Sequence, residues 1–218
     1  MTDASTDLAA LLCSRLCHDL LSPVGAFANG LELLASETDP AMRQNCIDLL
    51  EQSAQISTNK LKFFRLAFGA AGGFGDRVPV EEPKQLIEAL VRDKGRIEVN
   101  WALATANLSK PTVKVLLNFA QIAVDALVRG GTLDVGAEIR GGASEIVIRA
   151  SGPKIAFDPV IGRAIEGALA DGELTSRTAA AHMISRLAAD TGGGLQYALH
   201  EDALVLGAVL PEPEGLIG

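Results

Sequence analysis

Arg15-Leu16-Cys17-His18-Asp19-Leu20-Leu21-Ser22-Pro23 is the stretch from which the rest of the chain is best read. It puts a histidine, a neighbouring carboxylate, a hydroxyl and a proline into one run with helical spacing. His18 beside Asp19 is a nucleophile with a positioning partner. Ser22 falls one turn further along the same helix face. Pro23 lacks the N–H that would bond the Asp19 carbonyl, so a bend is expected just past the histidine.

The helix extends in both directions from this stretch. Apolar positions recur at Leu8, Leu12, Leu16, Leu20, Val24, Phe27 and Leu31, with Ser5 or Thr6 as the expected cap and Asp7 at the positive end. The run Ser36-Glu37-Thr38-Asp39-Pro40 breaks it, and Asp39 followed by Pro40 starts a second helix. That helix carries Ile47, Leu50, Ala54, Leu61, Phe64 and Phe68 and stops in the glycine-rich run 69–76. Each helix is ~30 residues and so ~45 Å long, which makes an antiparallel hairpin. At ~100° per residue, Leu16, Leu20, Val24, Phe27 and Leu31 share one sector and His18 points away from it. Around the histidine lie Ser14, Arg15, Ser22, Gly25 and Asn29, which are small or polar, apart from Leu11 near the start of the helix. A hairpin of this length cannot enclose its own core. A second copy would cover the remaining stripe as a four-helix bundle, the expected homodimer. The alternative cover is the domain that follows.

Composition narrows the function. The 218 residues carry a net charge of −8 and no Lys/Arg block, which argues against a nucleic-acid surface. Three cysteines make no disulfide framework and fit a reducing cytosol. Cys13, Cys17 and His18 lack a second ligand cluster, so no metal site is expected. No apolar run approaches the ~18 residues of a membrane span, and no signal peptide is read; a cytoplasmic location is expected.

Residues 77–218 alternate between strand and helix. Strands are expected at 78–80, 97–103, 132–139, 145–150, 195–199 and 203–210. Helices are expected at 83–93, from Ser109 to Val128, at 159–169, and from a Thr175 or Ser176 cap to Ala189. This order predicts an α/β sandwich with helices on one face of a mixed sheet. The fold class is therefore α+β, divided into a hairpin over 1–76 and the sandwich over 77–218.

At this point the chain resembles the core of a dimeric sensor histidine kinase over nearly its whole length. His18-Asp19-Leu20-Leu21-Ser22-Pro23 looks like the kinase phosphoacceptor box His-Glu/Asp-Leu-Arg-Thr-Pro, with Leu21 in place of the arginine. The nucleotide motifs depart from the kinase pattern. The Asn box Asn-Leu-Leu-x-Asn-Ala is here Asn118-Phe119-Ala120-Gln121-Ile122-Ala123, with Ile122 where the second Asn would hold Mg²⁺. The Asp-x-Gly-x-Gly box is Ala150-Ser151-Gly152-Pro153-Lys154. The lid segment from Gly172 to Arg177 lacks repeated glycines. Ile cannot ligate a metal and Ala cannot accept the adenine amine's hydrogen bond, so ATP binding is not expected.

A kinase-like dimer that keeps its histidine and lacks nucleotide residues resembles a histidine phosphotransferase, and more narrowly the ChpT-type phosphotransferases of alphaproteobacteria. The matching signature is Arg15-Leu-Cys-His18-Asp19 with Ser22-Pro23, then Arg65-x-Ala67-Phe68-Gly69-Ala70, then Leu117-Asn118-x-Ala120-Gln121-Ile122-Ala123. The resemblance implies a two-component phosphorelay in which His18 passes a phosphoryl group between receiver-domain aspartates of a hybrid kinase and of response regulators. The expected catalytic set is His18, with Asp19 orienting the ring, Ser22 under the incoming phosphoryl and Arg15 balancing its charge. No cofactor is expected on this chain, the receiver bringing its own Mg²⁺. Two other readings are an atypical ATP-dependent histidine kinase and a non-catalytic dimeric scaffold.

Overall fold

The computed structural model describes residues 4–69, 76–170 and 172–212. Two long helices come first, α1 (Ala4–Ser36) and α2 (Pro40–Phe68). Ser5 and Thr6 already lie inside α1, so neither is its N-cap. Asp39 caps α2 as expected: its Oδ1 accepts the Met42 N–H at 2.9 Å, and Pro40 takes the first turn. The connecting turn is held from both sides. Glu37 accepts the Thr38 and Asp39 N–H groups at 2.8 and 2.9 Å, and Arg43 donates to the Leu34 and Glu37 carbonyls. Those backbone donors keep the Glu37 carboxyl below its ordinary range. Most of the glycine-rich run expected as a linker, residues 70–75, lies outside the described residues.

The hairpin closes on a narrower seam than the apolar stripe suggests. Pro23 and Gly30 of α1 are buried, as are Cys46, Ser53, Phe63 and Ala67 of α2. A Cβ on Gly30 would lie 2.9 Å from Leu50 Cδ2, so the helices approach closely there. Val24, Phe27 and Leu31 remain 54, 37 and 49 % exposed, covered neither by α2 nor by the domain that follows.

The α/β part contains β1 (Arg77–Pro79), α3 (Glu81–Lys94), β2 (Ile97–Leu103), β3 (Asn107–Ser109), α4 (Lys110–Ala126), β4 (Gly131–Arg140), β5 (Ala143–Ser151), α5 (Pro159–Ile165), α6 (Ala179–Asp190), β6 (Gly194–Leu199) and β7 (Ala203–Pro211). The main sheet has the order β2-β4-β5-β7-β6; β2 runs parallel to β4 and the other pairs are antiparallel. Alternation decides the faces. Leu133, Val135, Ala137, Ile146, Ile148, Ala150, Leu204 and Leu206 are buried in the core, while Val147 and Val209 on the opposite face stay exposed. β3 is the strand that sequence reading misses. It pairs antiparallel with β1, Val78 opposite Leu108, both buried. Three residues are too few to show a period of two.

α4 lies at the centre. It touches α2, α3 and α6 as well as β5 and β7, and eleven of its residues are buried, Thr112, Val113, Val115, Leu116, Leu117, Asn118, Phe119, Ala120, Ala123, Val124 and Ala126. α6 begins at Ala179, later than expected, because Thr175 and Thr178 form a turn before it: Thr178 Oγ1 accepts the Thr175 N–H at 2.9 Å and donates to the Glu173 carbonyl at 2.8 Å. No helix among the described residues is long and apolar enough to cross a membrane.

Asp158 caps α5, its Oδ1 accepting the Val160 N–H at 3.0 Å. This short helix sits directly on β6. A Cβ on Gly162 would lie 2.4 Å from Tyr197 Cζ, and Tyr197 packs on Phe157 with ring centroids 5.3 Å apart. Gly162→Ala must displace that ring, an overpacking that costs about 1–3 kcal/mol. We expect a lower urea midpoint at unchanged m-value; an unchanged midpoint would show that Tyr197 moves aside freely.

Candidate functional site

α1 presents His18 to solvent, its side chain 87 % exposed. The ring is not free to spin. Nδ1 stands 3.2 Å from Asp19 Oδ1, so the carboxylate selects the tautomer with hydrogen on Nδ1 and leaves the Nε2 lone pair facing outward. Asp19 is held in turn. Its Oδ2 is 3.8 Å from Arg15 Nε, one turn back on α1, and its backbone carbonyl accepts from Lys60 Nζ of α2 at 2.9 Å. α1 runs as one helix across Pro23, whose ring is buried.

α4 supplies the opposite wall. Asp125 near its C-terminal end lies 3.8 Å from Arg15 Nη2 and 3.2 Å from Lys94 Nζ, and it accepts from Gln121 Nε2 at 2.9 Å. Arg15, Asp19 and Asp125 line two clefts at once and so form the ridge between them. His18 opens on a cleft of 450 Å³ walled by Ser14, Ile122, Phe157, Asp158 and Arg177. Arg177 Nη2 stands 3.4 Å from Asp158 Oδ2. The second cleft, 510 Å³, has Ser22, Lys60 and Asp93 at its rim over Phe63, Phe64 and Leu86. Burial pushes the Asp93 carboxyl up, opposed by Lys60 and Arg92.

Three of the four residues singled out from sequence therefore meet at one place, His18, Asp19 and Arg15. Ser22 does not join them in the His18 cleft; it lines the neighbouring one. Arg15 is directed at Asp19 and Asp125, so its charge ties α1 to α4. Sequence reading missed Asp125, Lys94 and Lys60. Only the spacing of Gln121 and Asp125 on α4 hints at a polar face there. The other histidines offer no rival nucleophile. His182 is half-buried in α6, burial pushes its pKa down, and its buried Nδ1 has no partner among the described residues. His200 lies in the β6–β7 turn.

The positions aligned with the kinase nucleotide motifs, whether kept or changed, make contacts within the fold. Asn118 is buried, and its Nδ2 donates to the Lys114 carbonyl at 2.8 Å and reaches the Ala67 carbonyl at 3.5 Å. Ala150 is fully buried on β5, and Ile122 is an apolar wall of the His18 cleft. The lid segment is tied down through Glu173, whose Oε2 accepts from Arg163 Nε at 3.2 Å and from the Ala170 N–H at 3.0 Å. Cys13 and Cys17 are exposed, and no group of three or more His, Cys, Asp or Glu among the described residues could hold a metal.

Comparison with known proteins bears on family and fold. Residues 80–203 match the family model of the histidine phosphotransferase C-terminal domain. The protein phosphotransferase ChpT of Brucella abortus (strain 2308) is 32% identical over 203 residues, covering 93% of this chain and 94% of that one. A bacterial phosphotransferase solved at 1.7 Å superposes with a TM-score of 0.80 at 31% identity, over 95% of this chain and 98% of that one. The histidine kinase domain of a blue-light-activated kinase from Erythrobacter litoralis matches with a TM-score of 0.50 at 12% identity, over 87% and 94% of the two chains, a likeness of fold alone. A family-model match over more than half of the chain, together with a relative 32% identical over nearly the full length of both chains, places the chain in the histidine phosphotransferase family.

Proposed function

We propose that this chain is a cytoplasmic homodimeric relay that carries a phosphoryl group between receiver-domain aspartates on His18 Nε2, without ATP. The observation that carries the reading is the pairing of His18 Nδ1 with Asp19 at 3.2 Å on an otherwise exposed ring. In the forward step the Nε2 lone pair attacks phosphorus of the receiver's acyl phosphate. The N–P bond forms as the P–O bond to the aspartate breaks, and the carboxylate leaves with the electron pair. The proton stays on Nδ1, where Asp19 offsets the charge that develops on the ring. The reverse sequence onto a second aspartate completes the relay. The transfer is in-line with a loose transition state, so positioning and charge neutralisation do most of the work. The receiver brings its Mg²⁺. Residues 1–76 act as the phosphoacceptor and dimerisation unit, and residues 77–218 as a kinase-like domain without nucleotide chemistry.

His18→Ala removes the nucleophile and leaves no cavity, because the ring is largely exposed. We expect phosphate uptake from a labelled, phosphorylated receiver to vanish and stability to change by no more than about 0.5 kcal/mol. Residual acid-labile phosphate on the variant would assign the chemistry to another residue.

Ile122 and Ala150 offer neither a metal ligand nor an adenine acceptor. Calorimetry with Mg-ATP at millimolar concentration should show no binding heat. Saturable, Mg-dependent heat would favour an ATP-dependent kinase.

The uncovered Val24, Phe27 and Leu31 support the dimer. Burying each large apolar side chain contributes about 1.5–3 kcal/mol, and a carboxylate in that interface costs more than it removes. The double variant Val24→Glu, Phe27→Glu should sediment as a monomer and lose transfer although His18 is intact. A native protein that sediments as a monomer at micromolar concentration would overturn the bundle.

A further inference from the structure

Pro23 leaves a defect in α1 at a sensitive place. In an α-helix the carbonyl of Asp19 would accept the N–H of residue 23, and proline has none. The unfilled acceptor belongs to the residue that orients the His18 ring. α2 fills it: Lys60 Nζ donates to the Asp19 carbonyl at 2.9 Å. Lys60 is half-buried, and its neighbour across the cleft, Asp93, carries a carboxyl pushed up by burial. The ammonium therefore enters a semi-enclosed space to meet one carbonyl, in a hydrogen bond strengthened by its charge.

We infer that Lys60 is a positioning residue for the phosphoacceptor: by satisfying the carbonyl that Pro23 orphans, it fixes the rotation and height of the His18–Asp19 pair against α2. Several features support a dedicated contact over an incidental surface pair. The carbonyl has no helical donor, so the lysine is its substitute. The contact joins the two helices beside the nucleophile and away from their turn. The Asp19 side chain is independently held by Arg15 at 3.8 Å. Backbone and side chain of the one orienting residue are thus each tied to a cation, one from within α1 and one from α2. A loosened Asp19 lets the imidazole swing, and an in-line transfer falls steeply with small misplacements of the attacking atom.

This inference rests on the phosphoryl-relay reading, and its test separates the two. Phosphate uptake from a phosphorylated receiver would be measured for the full-length wild type, Lys60→Met, Lys60→Arg, Pro23→Ala and the Pro23→Ala, Lys60→Met double variant. In parallel, ¹⁵N NMR of the His18 ring would report the share of the Nδ1–H tautomer without any transfer. Lys60→Met should slow uptake at least about tenfold and reduce that tautomer, while Lys60→Arg stays close to wild type. Pro23→Ala restores the missing N–H, so Lys60→Met should then cost less than about twofold in rate and leave the ring signals unchanged. The inference is overturned if Lys60→Met matches wild type, or if its effect is equally large with and without Pro23→Ala. Should Pro23→Ala by itself abolish uptake, the ring signals alone decide by the same criterion. Failure of the wild type to take up phosphate would overturn the relay reading, and the NMR comparison would still decide the role of Lys60.

Discussion

The last turns of α2 are where two structural units become one. Phe63 and Ala67 are buried in the same hydrophobic core as α4 and the sheet, and Phe64, Leu66 and Phe68 pack against it. Asn118 reaches across to the Ala67 carbonyl. A buried Phe contributes roughly 1.5–3 kcal/mol, whereas an exposed ion pair such as Arg15–Asp125 contributes about 1 kcal/mol at most. The apolar seam therefore sets how the hairpin stands on the sheet domain, and the charges only refine it. Because α1 is fixed to α2, the seam also decides that His18 faces the wall built by Ile122, Phe157 and Arg177.

Local signals in the sequence made much of this readable. The Asp39-Pro40 start produces the helix it suggests, and strands form close to the expected ranges at β2, β4 and β5. Within the box from Arg15 to Pro23, the structure brings Arg15, His18 and Asp19 to one cleft and places Ser22 in the neighbouring one. Other features depend on tertiary context. The apolar stripe of α1 identifies a helix to be covered, yet the seam that meets α2 uses Pro23 and Gly30. Their smallness allows close approach and carries no hydrophobic signature. Arg15 looks free on a helical wheel, because Asp125 is remote in sequence and becomes its neighbour only when α4 packs on α2. Lys60 is equally silent, since nothing local to it shows that a carbonyl on another helix lacks a donor.

The sheet domain keeps a kinase-like frame while its polar positions do structural work. Asn118 pins two helices together, and Ala150 fills the core where a carboxylate would need solvent or a ligand. The segment before α6 is stitched by Thr175, Thr178 and Glu173, and Arg163 holds the Glu173 carboxyl below its ordinary range. The same tethers keep Arg177 and Asp158 beside the His18 cleft.

The strand order has a consequence for how the chain can be made. β4 and β5 join through the tight Gly141-Gly142 turn, both residues at positive φ, so they pair from local contacts. β7 is the last element among the described residues but stands between β5 and β6 in the sheet. Until residues 203–211 arrive, β6 has no partner and β5 ends as an open edge. On the ribosome the hairpin bearing His18 emerges before the sheet domain, yet the sheet that seats it cannot close until residues 203–211 have been made. Loss of residues 203–211 would thus remove an interior member of the sheet, and the helix bearing His18 would be left without a settled foundation.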